Sequence, residues 1–223
     1  EVSVAVTEPS RAPRGRRPMS ERRRGLQRLE ISREAVRLFR AQGLAATSGE
    51  QIAEGVGLSV RTLWRYFRSK ESCVEPLLSQ SSDAFVAMLR RWPRERSLEE
   101  HMIADARPSS ADSPGDDEAA LAVIAMSRTE PAFRAIWLVV HERSEPVLAE
   151  VIADRLGRAP DELAVRVQAA TLAAALRIST EDYAVALADG VALTGEDVVA
   201  RLSEAVRAAT HGVIGEALTE PGA

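Results

Sequence analysis

Two apolar repeats of helical period, joined by the tight turn Val56-Gly57-Leu58-Ser59, constrain residues 28–71 of this 223-residue chain more than any other feature. Ile31, Ala35, Leu38 and Phe39 fall at i, i+4, i+7 and i+8, a stripe along one helix that another element must cover. Gly43 stops that helix. The second helix, of about two turns, is expected to open at Thr47. Glu50 three residues on would complete a reciprocal cap, and Ile52, Ala53 and Val56 would be buried. Gly57 can take the left-handed conformation that closes a helix and Ser59 can cap the next one. The second and third helices then meet at a sharp angle, which is the arrangement of a helix-turn-helix unit.

At 100° per residue, Leu63 and Phe67 of the third helix share one face, and Arg61 and Arg65 lie nearly opposite. Two outward arginines suit the guanine edge in the major groove, where a bidentate pair is worth about 1–3 kcal/mol of discrimination. Val60 can touch a thymine methyl and Thr62 can bond a base edge or a phosphate, whereas Trp64 and Tyr66 offer an N–H and an O–H to backbone oxygens. Packing roles for Trp64 and Tyr66, and a phosphate-only role for Arg61, stay open.

Gly43, Thr47, Ile52-Ala53, Val56-Gly57-Leu58-Ser59, Thr62-Leu63, Tyr66-Phe67 and Lys70-Glu71 together resemble the N-terminal signature of the TetR family of bacterial regulators. The resemblance implies an all-α homodimer. Its three-helix DNA-binding domain would grip a palindromic operator in double-stranded DNA, and its larger helical domain would dimerise and bind a small effector that releases the DNA. It further implies that Thr47 contacts phosphate at the start of the second helix, that residues 59–66 enter the groove, and that Lys70 holds phosphate. One position departs: Trp64 stands where the family most often has tyrosine, keeping a donor and a stacking face but losing the acceptor.

Charge is distributed as this division requires. Residues 1–75 carry 15 Lys and Arg against 9 Asp and Glu, a balance of +6, and residues 76–223 carry 14 against 24, a balance of −10. Only the part that meets phosphates has to be basic. Arg11, Arg14, Arg16, Arg17, Arg22, Arg23, Arg24 and Arg28 cluster before and at the start of the first helix, broken by Pro13, Gly15 and Pro18. Residues 1–24 are therefore expected to form a disordered basic arm, serving DNA or only solubility. Residues 25–72 then form the DNA-binding domain and 73–223 the helical domain. A single cysteine, Cys73, excludes an intrachain disulfide and fits a reducing cytoplasm. No apolar run approaches a membrane span, and no apolar signal core follows the first arginines.

The fourth helix should run from near Ser69 to about Arg91, with a kink or restart at Pro76. Further helices are expected near 97–106, 117–127, 130–157 with an interruption at Pro146, 160–178, 180–189 and 195–218. The 163–175 segment is apolar on nearly every side, and Val198, Leu202, Ala205, Val206, Ala209 and Val213 form a second seam. Both suit a four-helix dimer interface, or packing within one subunit. Trp92, His101, Met102, Met126, Trp137, His141 and Tyr183 are the candidates for an effector pocket, as large aromatic, Met and His side chains on apolar helices. No cofactor is expected. His101 with Asp105, and His141 with Glu142, fall short of the three convergent ligands of a catalytic zinc. A DNA-binding or partner-binding dimer without an effector is the stronger rival.

Overall fold

A computed structural model describes residues 21–105 and 115–211, and among these every regular element is helical. Helix α1 spans Glu21–Ala46, α2 Gly49–Gly55 and α3 Val60–Tyr66. Gly43, at φ 82°, breaks α1 near its end, where the sequence places a stop. Arg22, Arg23 and Arg24 already lie on α1, and residues 1–20, with the other arginines of the arm, lie outside the described residues. The cap of α2 sits one residue later than the sequence reading has it. Ser48 Oγ accepts from Gln51 N at 3.3 Å, and Gln51 Oε1 accepts from Ser48 N at 2.8 Å. Thr47 cannot serve there because its hydroxyl donates to Gly43 O at 2.8 Å, closing the α1–α2 corner from inside. Gly57 is left-handed at φ 66° and Ser59 caps α3, as expected.

A short 3-10 turn, Glu71–Val74, precedes α4 (Glu75–Arg90). Pro76 falls in the first turn of α4, where its missing N–H has no intrahelical partner to lose, so the chain restarts and does not kink. Then follow α5 (Leu98–Ala104), α6 (Asp116–Met126), α7 (Pro131–Glu142), α8 (Glu145–Leu156), α9 (Leu163–Ala188) and α10 (Gly195–His211). The α7–α8 break comes just before Pro146, which occupies the first turn of α8. Residues 163–188 form one helix where two were expected. Ser179 and Thr180 look like breakers in sequence, but their hydroxyls donate to Ala175 O and Leu176 O, and the helix continues through them. Thr194 and Asp197 cap α10 reciprocally, as the spacing predicts.

Helix α4 belongs to two cores. Its Leu77 and Leu78 join Ile31, Phe39, Ile52, Leu63 and Phe67 of the N-terminal helices, together with Val123, Phe133 and Trp137 of α6 and α7. Its Met88 and Leu89 pack with Leu148 and Ala153 of α8, Val165 and Ala169 of α9, and Leu202 of α10. One 16-residue helix thus ties the N-terminal module to the far end of the molecule. Polar links reinforce the joint. Asp116, buried at the start of α6, accepts two bonds from Arg33 of α1, at 2.7 and 2.8 Å, and a third from Gln80 of α4. Glu75 accepts from both Arg28 of α1 and Arg143 at the end of α7.

Along α9 the buried face is Val165, Ala169, Ala173, Leu176 and Ala184, while Leu163, Val167 and Ile178 stay exposed at helical spacing. On α10, Val198 and Leu202 face inward, so the first part of that seam is covered within the subunit.

Candidate nucleic-acid interface and ligand cavity

The third helix is held by its buried side and by its ends. Leu63 and Phe67 are inserted in the core, Ser59 Oγ accepts from Thr62 N, and the Ser59 and Thr62 hydroxyls lie 2.8 Å apart. Arg61 and Arg65 are left exposed on the outer side with Ser59, while Val60, Thr62 and Tyr66 are half-buried at its margins. Trp64 is 42% exposed, with one edge of its indole lying against Gly49. A Cβ at Gly49 would sit 2.2 Å from Trp64 Cζ2, so the close approach of α3 to the start of α2 needs a glycine there. The sequence reading leaves both a DNA-side donor role and a packing role open for Trp64, and the contact with Gly49 supplies the packing.

Two residues of the sequence reading sit further inside. Thr47 is buried with its hydroxyl on Gly43 O, and Lys70 Nζ donates to Leu44 O at 2.7 Å and Thr47 O at 2.8 Å. Lys70 thereby ties the start of the 3-10 turn to the α1–α2 corner, leaving one of its three donors. Arg28 is likewise structural: it pairs with Glu75, and its guanidinium lies 5.0 Å over the Phe67 ring.

The second site is a cavity of about 220 Å³ bounded by α4, α7, α8, α9 and α10. Of the sequence candidates it brings together Trp137, His141 and Tyr183. Trp92 packs elsewhere, with the Arg155 guanidinium 3.3 Å over its ring and its own Nε1 donating to Arg96 O. His101 is buried with Nε2 2.9 Å from Met88 O, and its neighbour Asp105 accepts from Arg91. Met126 packs against the N-terminal core, and the side chain of Met102 lies outside the described residues. Missed by the sequence reading were Phe85, Arg201 and the hydroxyls of Ser81, Ser82, Ser144, Ser179 and Thr180. Hydroxyls inside an otherwise apolar helix, as at 179 and 180, were the available signal.

His141 meets Trp137 edge-on at 4.1 Å, and its Nδ1 is buried without a hydrogen-bond partner. Burial, with Arg177 and Arg134 nearby outweighing Glu181, lowers its pKa to about 4, so the imidazole is neutral at pH 7. Beside it, Glu181 accepts from Arg134, Arg177 and Trp137 Nε1 at 2.5, 2.9 and 2.9 Å. Burial alone would raise the Glu181 pKa; these three donors hold it below the ordinary carboxylate value. Among the described residues no group of three or more His, Cys, Asp and Glu is placed to hold a metal, and no helix is long and apolar enough to cross a membrane.

An exposed pair of arginines on the third helix of a helix-turn-helix, beside a helical body with its own cavity, is the arrangement expected of a DNA-binding regulator. Residues 31–77 match the family described as bacterial regulatory proteins, tetR family. The chain is 34% identical over 134 residues to the HTH-type transcriptional regulator TcmR of Streptomyces glaucescens, a match covering 57% of this chain and 59% of that relative. The chain thus spans about three fifths of that relative's length. Its fold is shared with Thermus thermophilus FadR, a TetR-family transcriptional repressor solved with lauroyl-CoA. There the TM-score is 0.53 at 19% identity, covering 88% of this chain and all of that one. It is shared also with Salmonella enterica GusR, at a TM-score of 0.52 and 16% identity, covering 85% and 96%. Residues 31–77 therefore carry the N-terminal domain of the tetR family of bacterial regulators, and the chain shares the helical fold of these solved proteins.

Proposed function

We propose that the protein is a homodimeric repressor that grips a palindromic operator and releases it when a small molecule fills the cavity. The observation that carries this reading is the double membership of α4. Its first turns pack with the recognition module, and its Phe85 and Val86 line the cavity. A ligand that prefers one placement of α4 therefore favours one placement of α3. In a dimer, two recognition helices must meet successive major grooves about 34–36 Å apart, so a shift of a few ångströms breaks the grip. The exposed Leu163, Val167 and Ile178 stripe on α9 supports a subunit contact. The repressor role is in keeping with FadR, whose structure holds an acyl-CoA.

On this reading Ser59, Val60, Arg61, Thr62, Trp64, Arg65 and Tyr66 meet the groove and its margins. Thr47 acts by fixing the corner, and Lys70 offers phosphate its remaining donor. Residues 25–72 serve as the DNA-binding domain and 73–223 as the effector and dimerisation domain, working in the cytoplasm. Buried Cys73, its thiol pushed up to about 12, is inert there. Footprinting on the DNA upstream of its own gene at controlled salt, repeated with a panel of small molecules, tests the proposal. Protection of a palindrome that some compound lifts is the expected result. Protection that no compound lifts would leave a dimer without an effector, and none at low salt would defeat the autoregulatory operator.

A further inference from the structure

The cavity's lining selects a class of ligand. Phe85, Trp137 and Tyr183 present aromatic walls from three helices, which favour flat rings. At about 220 Å³ the space exceeds the roughly 150 Å³ of an apolar cavity that takes up benzene. It therefore holds a substituted ring or a fused pair. Three lining hydroxyls, on Ser144, Ser179 and Thr180, donate their single protons to carbonyls of their own chain segments, at 2.6, 2.9 and 2.8 Å. What they offer a guest is lone pairs. His141, also in the lining, has a buried Nδ1 that is unpartnered in the free protein, so a guest that draws the ring toward it gains a hydrogen bond at a site whose desolvation cost is already borne.

Charge narrows the class further. Arg201 is the one charged side chain among the described lining residues, and no carboxylate lines the space. Behind His141, Glu181 is flanked by both Arg134 and Arg177, so the nearest ion cluster has an excess of positive charge. A cationic guest would lose its hydration and meet no counter-ion. We propose that the cavity binds a hydroxylated or carboxylated aromatic molecule of one or two rings, uncharged or anionic, with an oxygen on His141 Nδ1 and any acidic group toward Arg201. This rests on the effector reading above.

Calorimetry on the full chain with 2-naphthol, 2-naphthoate and 2-naphthylmethylammonium tests it, because the three share a ring system and differ in charge. The naphthol and the naphthoate are expected to bind, and the ammonium compound at least tenfold more weakly. His141→Leu should lower naphthol affinity at least tenfold, and His141→Asn, whose amide falls where Nδ1 lies, should recover most of it. Arg201→Gln should weaken naphthoate and spare naphthol. Since Arg201 is exposed, that variant keeps the test alive should His141→Leu fail to fold. Equal binding of the ammonium compound, an unaffected His141→Leu protein, or binding of none of the three would overturn the assignment. The two readings separate at the operator. Binding in the expected rank without operator release leaves the ligand class standing and sinks the effector role, whereas release by the cation alone does the reverse.

Discussion

The recognition face and the cavity treat their unpaired polar groups in opposite ways. Arg61 and Arg65 stand in water, where an unpartnered guanidinium carries no desolvation penalty, and on the function proposed above DNA would only exchange that water for base edges and phosphates. His141 Nδ1 is out of water with no partner, an arrangement that costs a folded protein about 1–3 kcal/mol. On the proposed function, a surface for a polyelectrolyte can wait solvated, while a pocket for a small guest waits unsatisfied. Stability and function therefore separate: changes at the exposed Arg61 and Arg65 should alter binding and leave folding nearly alone, and changes around the cavity should alter both.

The first way to break this contrast is to ask whether the regions fold as one unit. Phe39 of α1 and Phe133 of α7 are both buried, with ring centroids 5.3 Å apart, so the N-terminal module has no core independent of α7. Phe133→Ala is expected to destabilise the whole protein by about 3–5 kcal/mol in a single denaturant transition. Two separate transitions, with the DNA-binding module unaffected, would show independent domains.

Acid sharpens the cavity side. An unfolded chain protonates His141 near its usual pKa of about 6.5, whereas the folded protein resists until about pH 4. The unfolded state binds more protons in between. Stability from this residue is therefore complete above about pH 6.5 and is lost as pH falls toward 4, by about 2–3 kcal/mol. Glu181, whose folded pKa is depressed, loses its contribution only at lower pH, below the ordinary carboxylate value. Thermal unfolding from pH 8 to pH 4 should show a slope that His141→Asn flattens between 6.5 and 4. An unchanged slope in that variant would place the burden on other groups.

How much of this was legible in the sequence follows from the range of the interactions. The helix-turn-helix was readable because its determinants are local: Gly57 and Ser59 act within their own turn, and the Ile31 to Phe39 stripe needs only helical period. The α2 cap was misplaced by one residue because Thr47 and Ser48 are equally good caps in sequence. Only the bond from Thr47 to Gly43 O decides between them. The phosphate role of Lys70 rests on the family resemblance, and its bonds to two carbonyls could not be read beside it because those acceptors lie 26 and 23 residues away. The cavity was legible only in part, since large aromatic side chains announce themselves and small hydroxyls do not. Trp137, His141 and Tyr183 were within reach of pattern reasoning. Ser144 and Arg201 come into the same wall only once α7, α9 and α10 have packed.

Returning to the recognition side, Gly49→Ala tests whether Trp64 positions α3 or merely decorates it. The new Cβ would displace the indole from the start of α2, a small overpacking expected to cost about 1 kcal/mol of stability. Operator affinity should fall more than stability does. If the indole acts through this contact, Gly49→Ala adds little to a Trp64→Ala protein, which a double-mutant cycle measures directly. Arg61→Ala should change stability by less than about 0.5 kcal/mol yet relax preference at one base pair per half-site by about 1–3 kcal/mol. Equal losses on operator and random DNA would return Arg61 to a phosphate role.

The smallest expected effect addresses the joint between the regions. Glu75 accepts from Arg28 on one side and Arg143 on the other, and the arginine side chains are 38% and 63% exposed, so each pair is worth at most about 1 kcal/mol. Removing one arginine leaves the carboxylate to the other, and the single changes Arg28→Ala and Arg143→Ala should each cost little. Removing both leaves Glu75, itself 25% exposed, without either partner. The double loss should therefore exceed the sum of the single losses by a few tenths of a kcal/mol at low salt and shrink at high salt. Strict additivity in urea unfolding would mean that α1 and α7 do not communicate through Glu75, and that the joint is carried by the shared apolar core and by Asp116 with Arg33 and Gln80.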